Sequence, residues 1–198
     1  MDFVNAPTTY ALIFANIAVS SYAFFVDRGF ISHFAFNVGA VTKRDQHYRV
    51  ITSSFLHVDF FHLFLNMLTL YFFGPTVEKI LGKLGFLVVY FGAIIASGIV
   101  SSFVNRKNLT YSSVGASDAV SGVILSFCVF YPFAGIYLFM IPLPIPALLY
   151  GVLYILISAR LMGNPGNRIA HEGHLGGALA GVVLTVLMKP EAVTQLFG

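Results

Sequence analysis

Apolar residues run along this chain in long blocks rather than in alternation. Short polar clusters cut the blocks at intervals that suit membrane-spanning helices. A helix needs about 20 apolar residues to cross a bilayer core, with a range of about 17–25. Thr9–Val26 is the first such block. Arg28–Arg49 follows, mixed in charge and rich in aromatics, and its length predicts a structured loop rather than a plain connection. Ile51–Phe73 is the second block, although it carries His57, Asp59, His62 and Asn66. Gly74-Pro75, with Glu78, Lys79 and Lys83 after it, predicts a short polar turn. Leu84–Val104 is the third block, Asn105–Ser113 a polar loop, and Ser117–Tyr131 a fourth, shorter apolar segment. Pro132, Pro142, Pro144 and Pro146 punctuate the next stretch. Ala147–Leu161 is the fifth block, Gly163–Arg168 a turn, and Ala170–Met188 the sixth. The pattern therefore predicts an all-α membrane protein, a six-helix bundle in a single domain over residues 1–198, with both termini on one side.

Composition agrees. The chain has 198 residues, 58% hydrophobic and 10% charged, with mean hydropathy +0.84. A soluble domain carries roughly 25% charge, so this chain has too little to cover a water-facing surface. The formal net charge is +3, but the eleven Lys and Arg are scattered, without the stripe or cluster that nucleic acid would select. Cys128 is the one cysteine, so no internal disulfide forms, and it reads as a small core residue. Met1–Asn5 lacks the positive region that opens a signal peptide, so the first block is expected to be a retained span.

Candidate chemistry sits at the mouths of two blocks. Gly115 permits close approach of backbone or substrate. Ser117 falls where the fourth helix should begin, where orphan N–H groups and the helix dipole favour a developing negative charge. Taken alone, Ser117 fits a helix N-cap more simply, with Asp118 as a first-turn acid. His174 opens the sixth block among Gly173, Gly177 and Gly181, small residues at a spacing that lets helices pack closely in a membrane. Ser117 and Ser121 offer the same spacing on the fourth helix. Tight packing of these two helices would bring the Ser117 hydroxyl within reach of His174, the geometry a nucleophile and base require. His171 and His174 are i and i+3, unlike the i, i+4 pair of a zincin, and no third ligand accompanies them, so no metal is expected. In the second block His62 and Asn66 share a helix face. They suit either an oxyanion hole or interhelical hydrogen bonding, and alone the second is simpler.

The pattern His57-x4-His62-x3-Asn66 in the second block, Gly115-x-Ser117-x opening the fourth, and His174-Leu175-Gly176-Gly177 opening the sixth resembles the rhomboid family of intramembrane serine proteases. The likeness covers nearly the whole chain. Tyr48-Arg49 is similar to the aromatic–Arg pair of the family's first loop, and Glu78 to the acid that follows its second helix. The resemblance implies a Ser–His dyad without a third acid: Ser117 as nucleophile and His174 as general base. It also implies an oxyanion hole from Asn66, His62 and the Ser117 backbone N–H, with His57, Gly115 and Gly177 in support. Two positions differ from the family pattern. Asp118 follows the serine where many members have glycine, and is expected to face backbone donors or solvent. Ser121 stands where some members carry an aromatic stacked on the base.

The expected activity is therefore cleavage of membrane-anchored proteins in or near a transmembrane segment, with no metal or organic cofactor and with the lipid bilayer as surroundings. The proline-rich Pro142–Pro146 run and the fifth helix are candidates for the mobility that lateral substrate entry needs. Two rivals remain: a catalytically inactive relative that binds membrane-protein clients, and a small proton-coupled transporter using His57, His62 and His174. The expected location is a bacterial cytoplasmic membrane. Counting Lys and Arg places Lys79, Lys83 and Lys189 against Arg28, Lys43, Arg44, Arg49, Arg106, Lys107, Arg160 and Arg168, which favours an N-out orientation. The resemblance implies N-in with a partly embedded first loop, and N-in is the expected orientation.

Overall fold

The computed structural model describes residues 5–138, 141–163 and 169–196. The chain is mostly helical. Helix α1 is Pro7–Phe25, followed by a folded loop holding α2 (Gly29–Phe34), strand β1 (Phe36–Asn37), α3 (Val38–Lys43) and α4 (Tyr48–Thr52). A 3-10 turn, Ser53–Phe55, leads to the long helix α5 (Phe60–Val104). Strand β2 (Ser112–Ser113), α6 (Ser117–Phe130), β3 (Gly135–Leu138), β4 (Ile141–Pro146), α7 (Ala147–Leu161), α8 (His171–Met188) and a 3-10 turn (Pro190–Leu196) complete it.

Three boundaries differ from those the pattern predicts. The second helix begins at Phe60, because Asp59 is its N-cap and accepts from the His62 N–H at 2.7 Å. His57 thus lies before the helix, in an extended connection. The polar turn is not at Gly74-Pro75, which lie inside α5, but at Gly82, whose φ of 71° and ψ of 170° interrupt the helix. Gly74 instead marks a close crossing, since a Cβ there would lie 2.5 Å from Thr9 Cγ2 of α1. Gly82 reverses the chain in a conformation that side chains other than hydrogen rarely adopt. Residues 60–81 and 83–104 therefore run back on each other, so that His62 and Ser97 both lie beside residues 115–118. The third difference is the proline-punctuated stretch, which forms a hairpin: β3 pairs antiparallel with β4, Gly135 opposite Pro146 and Ile136 opposite Ile145. With the β1–β2 pair, Phe36 opposite Ser113, this adds two small sheets to the expected all-helical architecture. The turn expected over Gly163–Arg168 falls, after Gly163, outside the described residues.

Among the described residues, α1 and α5 are the helices long and apolar enough to cross a bilayer. Each half of α5, at about 22 residues, reaches roughly 33 Å. Helices α6 and α7 are apolar but shorter, 14 and 15 residues. The first loop is structured, as its length predicts. Phe36, Val38 and Val41 form a small core with Val50 and Tyr111, and Arg49 ties the loop together by donating to Ser32 O, Ala35 O and Gln46 Oε1.

Two polar devices hold the main core together. Pro7 opens α1, and Ala6 at its N-cap offers no side-chain acceptor. Glu78 supplies one from α5: its carboxylate accepts from Thr8 N–H at 2.9 Å, Thr9 N–H at 2.7 Å and the Thr9 hydroxyl at 2.8 Å. Helix-start donors that would otherwise be orphaned are thereby satisfied across the fold. Helices α6 and α8 meet backbone to backbone. A Cβ on Gly177 would strike the Asp118 carbonyl, and one on Gly181 would strike Gly122. One turn further on, Thr185 donates to Ser126 Oγ at 2.7 Å. The small residues facing α8 are thus Asp118, Gly122 and Ser126 at i, i+4 and i+8, one position off the Ser117–Ser121 face that the spacing suggests.

Candidate active site

The α6–α8 contact decides where Ser117 and His174 lie. With Asp118 seated on Gly177, the preceding residue turns its side chain toward the start of α8. Ser117 Oγ and His174 Nε2 are 2.8 Å apart. Both line a cavity of about 1030 Å³, together with His62, Asn66 and Tyr111.

The segment carrying Ser117 is pinned from behind. Gly115 N–H donates to Ser53 O at 3.0 Å. Gly115 has φ 135°, and a Cβ there would lie 2.6 Å from His62 Cε1, so both conformation and space require glycine. His57 is buried and braces the next residue. Its Nε2 accepts from the Ala116 N–H at 3.4 Å, and its Nδ1 bonds to Ser20 Oγ at 2.9 Å. Ser20 Oγ donates to Phe55 O at 3.0 Å, so the network fits a neutral imidazole protonated on Nδ1. The histidine placed in a supporting role by the sequence therefore touches the serine loop through the backbone.

His62 and Asn66 reach the same cavity. Asn66 Nδ2 donates to His62 O at 3.0 Å, which uses one of its two hydrogens. His62 Nδ1 is buried and has no protein partner. Gly177 contributes by its lack of a side chain, as above. All seven residues singled out from the sequence thus converge on one end of the bundle. The described residues contain no group of His, Cys, Asp and Glu fit to hold a metal ion.

Two features escape sequence reasoning. The half-buried Asp118 carboxylate does not pair with backbone donors; it accepts from Ser97 Oγ at 2.5 Å, and a Cβ on Gly173 of α8 would lie 2.9 Å from its Oδ1. The ring stacked on His174 comes from Tyr154 of α7, with centroids 6.3 Å apart and planes inclined by 18°. Its hydroxyl bonds to Ser121, the position at which the family pattern puts a stacking aromatic. No spacing rule links residue 154 to 174 across a loop. At the cavity rim, burial and the neighbouring Glu172 push the Tyr111 phenol above its ordinary value, and Glu172 also accepts from Asn105 Nδ2 at 2.9 Å.

The rhomboid-domain family model matches residues 44–191, the stretch that carries Ser117, His174, His57, His62 and Asn66. The chain belongs to the rhomboid family. Among its relatives, a putative rhomboid protease of Bacillus subtilis is 34% identical over 146 residues, covering 71% of this chain and 66% of that protein. The mitochondrial rhomboid protein 1 of Saccharomyces cerevisiae is 32% identical over 137 residues, 68% of this chain and 40% of that protein. A rhomboid-like protease of Toxoplasma gondii is 30% identical over 167 residues, 80% of this chain and 53% of that protein. The matches thus span between 40% and 66% of these curated relatives' own length. Rhomboid proteins are integral to membranes, in keeping with the apolar helices of this chain.

Proposed function

We propose that this rhomboid is an intramembrane serine endopeptidase, a single six-span domain that cuts membrane-anchored proteins in or near a transmembrane segment. The observation that carries the reading is the 2.8 Å approach of Ser117 Oγ to His174 Nε2 at the wall of a cavity of about 1030 Å³. His174 takes the hydroxyl proton as Ser117 Oγ attacks the scissile carbonyl, and returns it to the leaving amine. Water then hydrolyses the acyl-enzyme with His174 acting again as base. The oxyanion is held by the Ser117 N–H at the start of α6, the second Asn66 Nδ2 hydrogen and His62. The six spans are α1, the two halves of α5, α6, α7 and α8, with the amino terminus on the cytoplasmic side. Protease-named relatives support the reaction class. Relatives named for both bacterial and mitochondrial proteins support a membrane location without choosing the bacterial cytoplasmic membrane over another.

A reporter transmembrane segment offered to the purified protein in liposomes tests this. Wild type is expected to cut it, and Ser117→Ala and His174→Ala to lose activity by about 10³-fold or more. Full activity in Ser117→Ala overturns the mechanism. Failure of the wild type across a broad substrate panel favours a client-binding rhomboid instead.

A further inference from the structure

An imidazole that takes a proton from a neighbouring hydroxyl must be held in line with it, since it turns about two side-chain bonds unless something packs on its face. In this chain the packing ring is Tyr154, in an offset stack on His174. Tyr154 belongs to α7, and its hydroxyl bonds to Ser121, one turn beyond Ser117 on α6. Ser121 Oγ also donates to Ser117 O at 2.6 Å. A single side chain therefore joins three helices at the dyad: α7 carries it, α8 supplies the ring it covers, and α6 the hydroxyl it bonds.

The helix that carries this side chain is lightly held. Among its described residues α7 buries only Ala147, Gly151 and Ser158, while Leu148, Leu149, Leu153, Leu156 and Ile157 are exposed on its outer side. It also packs on α6 at Gly151, where a Cβ would lie 3.0 Å from Leu125 Cδ1 and 3.6 Å from Cys128 Cβ. Shifting α7 outward takes the ring off His174 and the hydroxyl off Ser121 in one movement.

We propose that Tyr154 is a positioning residue of the dyad, and that the seating of α7 in the bundle sets whether His174 is aimed at Ser117. The inference rests on the reading of Ser117 and His174 as a protease dyad. With α7 seated the base is aligned; with α7 displaced the imidazole is free to turn and proton transfer slows. Opening of this helix and full activity of the dyad thereby oppose each other.

The test compares wild type, Tyr154→Phe, Tyr154→Leu and the double variant Tyr154→Leu/Ser121→Tyr in detergent. Cleavage of a reporter transmembrane segment is measured beside the NMR signals of 13C-labelled histidine. Tyr154→Leu is expected to lower kcat about 10-fold with KM changed less than about twofold. Its His174 ring-proton signal should move downfield as the tyrosine ring current is lost. Tyr154→Phe keeps the stack, and so keeps the signal, with a loss of about threefold in kcat. The double variant should regain both, because an aromatic at position 121 covers the imidazole from α6 itself. Gly151→Leu, which pushes α7 from Leu125 and Cys128, should lower kcat in the wild-type background and have no further effect in the double variant.

Wild-type kcat with an unmoved His174 signal in Tyr154→Leu overturns the proposal. So does a double variant that melts like the wild type and recovers neither readout. If the His174 signal responds as described while no form cleaves anything, wild type included, positioning by Tyr154 stands and the protease reading falls.

Discussion

Ser117 and His174 are 57 positions apart in the chain and 2.8 Å apart at Oγ and Nε2. Serine at a helix start and histidine at another are common, and it is their meeting that gives the arrangement a nucleophile and base would need. The residues around them divide by what each touches. His57 bonds to the backbone of Ala116 and so acts on the loop, not on a reacting atom. Asn66 and His62 line the cavity, and the unpartnered His62 Nδ1 is a polar atom that the protein alone leaves unsatisfied. Burying such an atom is costly unless a ligand or water completes it. If these two side chains serve the oxyanion, Asn66→Ala and His62→Ala should each lower kcat by about 10²–10³ with little change in KM. Steady-state cleavage of the reporter segment reads this directly, and a rise in KM at constant kcat would assign them to ground-state binding instead. Asp118, conspicuous beside the serine in sequence, is accounted for by Ser97 on α5.

At the level of elements, two contacts replace what helices usually supply for themselves. Helix α1 lacks its own cap, and Glu78 satisfies its first donors from a position seventy residues away in sequence. Glu78→Ala removes the acceptor for three donors, each costing about 1–3 kcal/mol when left unpaired. The α6–α8 contact leaves no room for a side chain at Gly181, so Gly181→Val must separate the helices that carry Ser117 and His174. Both variants should melt below wild type in thermal unfolding. They should differ in activity measured well below the transition: Glu78→Ala remains active, because α1 reaches the serine loop indirectly, by the bond from Ser20 to His57, whereas Gly181→Val does not. Apolar runs in the sequence announced the helices themselves. Their ends were less legible, since Gly74-Pro75 and Gly82 carry the same turn signal, and only the crossing of α1 over Gly74 shows which one the chain uses.

Across the whole molecule, chemical labelling reads how the bundle sits in a bilayer. An N-in arrangement of six spans puts Lys83, beside the Gly82 reversal, on the inside and Lys107, in the loop before β2, on the outside. In a Cys128→Ala background, Lys107→Cys should react with a membrane-impermeant maleimide added to intact cells, and Lys83→Cys should react only after permeabilisation. The opposite pattern would mean that the charge count is the better guide to orientation. That count treats Lys43, Arg44 and Arg49 as part of a free loop. The structure instead folds residues 29–52 into short helices and a strand, with Arg49 bonded to backbone carbonyls, and a loop folded on itself is a weak reporter of translocation.

Block length and charge content were enough to place this chain in a membrane and to predict its apolar helices, and the resemblance of its motifs to the rhomboid family named the residues that converge. Length and charge are local or compositional, and a linear chain displays them openly. Only the tertiary structure decided that Gly82 makes the reversal, that Asp118 rather than Ser117 meets Gly177, and that the ring over His174 comes from Tyr154 on α7. Each of these depends on which helix faces shut together when glycine lets backbones touch. That is a choice among packings of the same apolar segments, and sequence spacing along any one of them does not encode it.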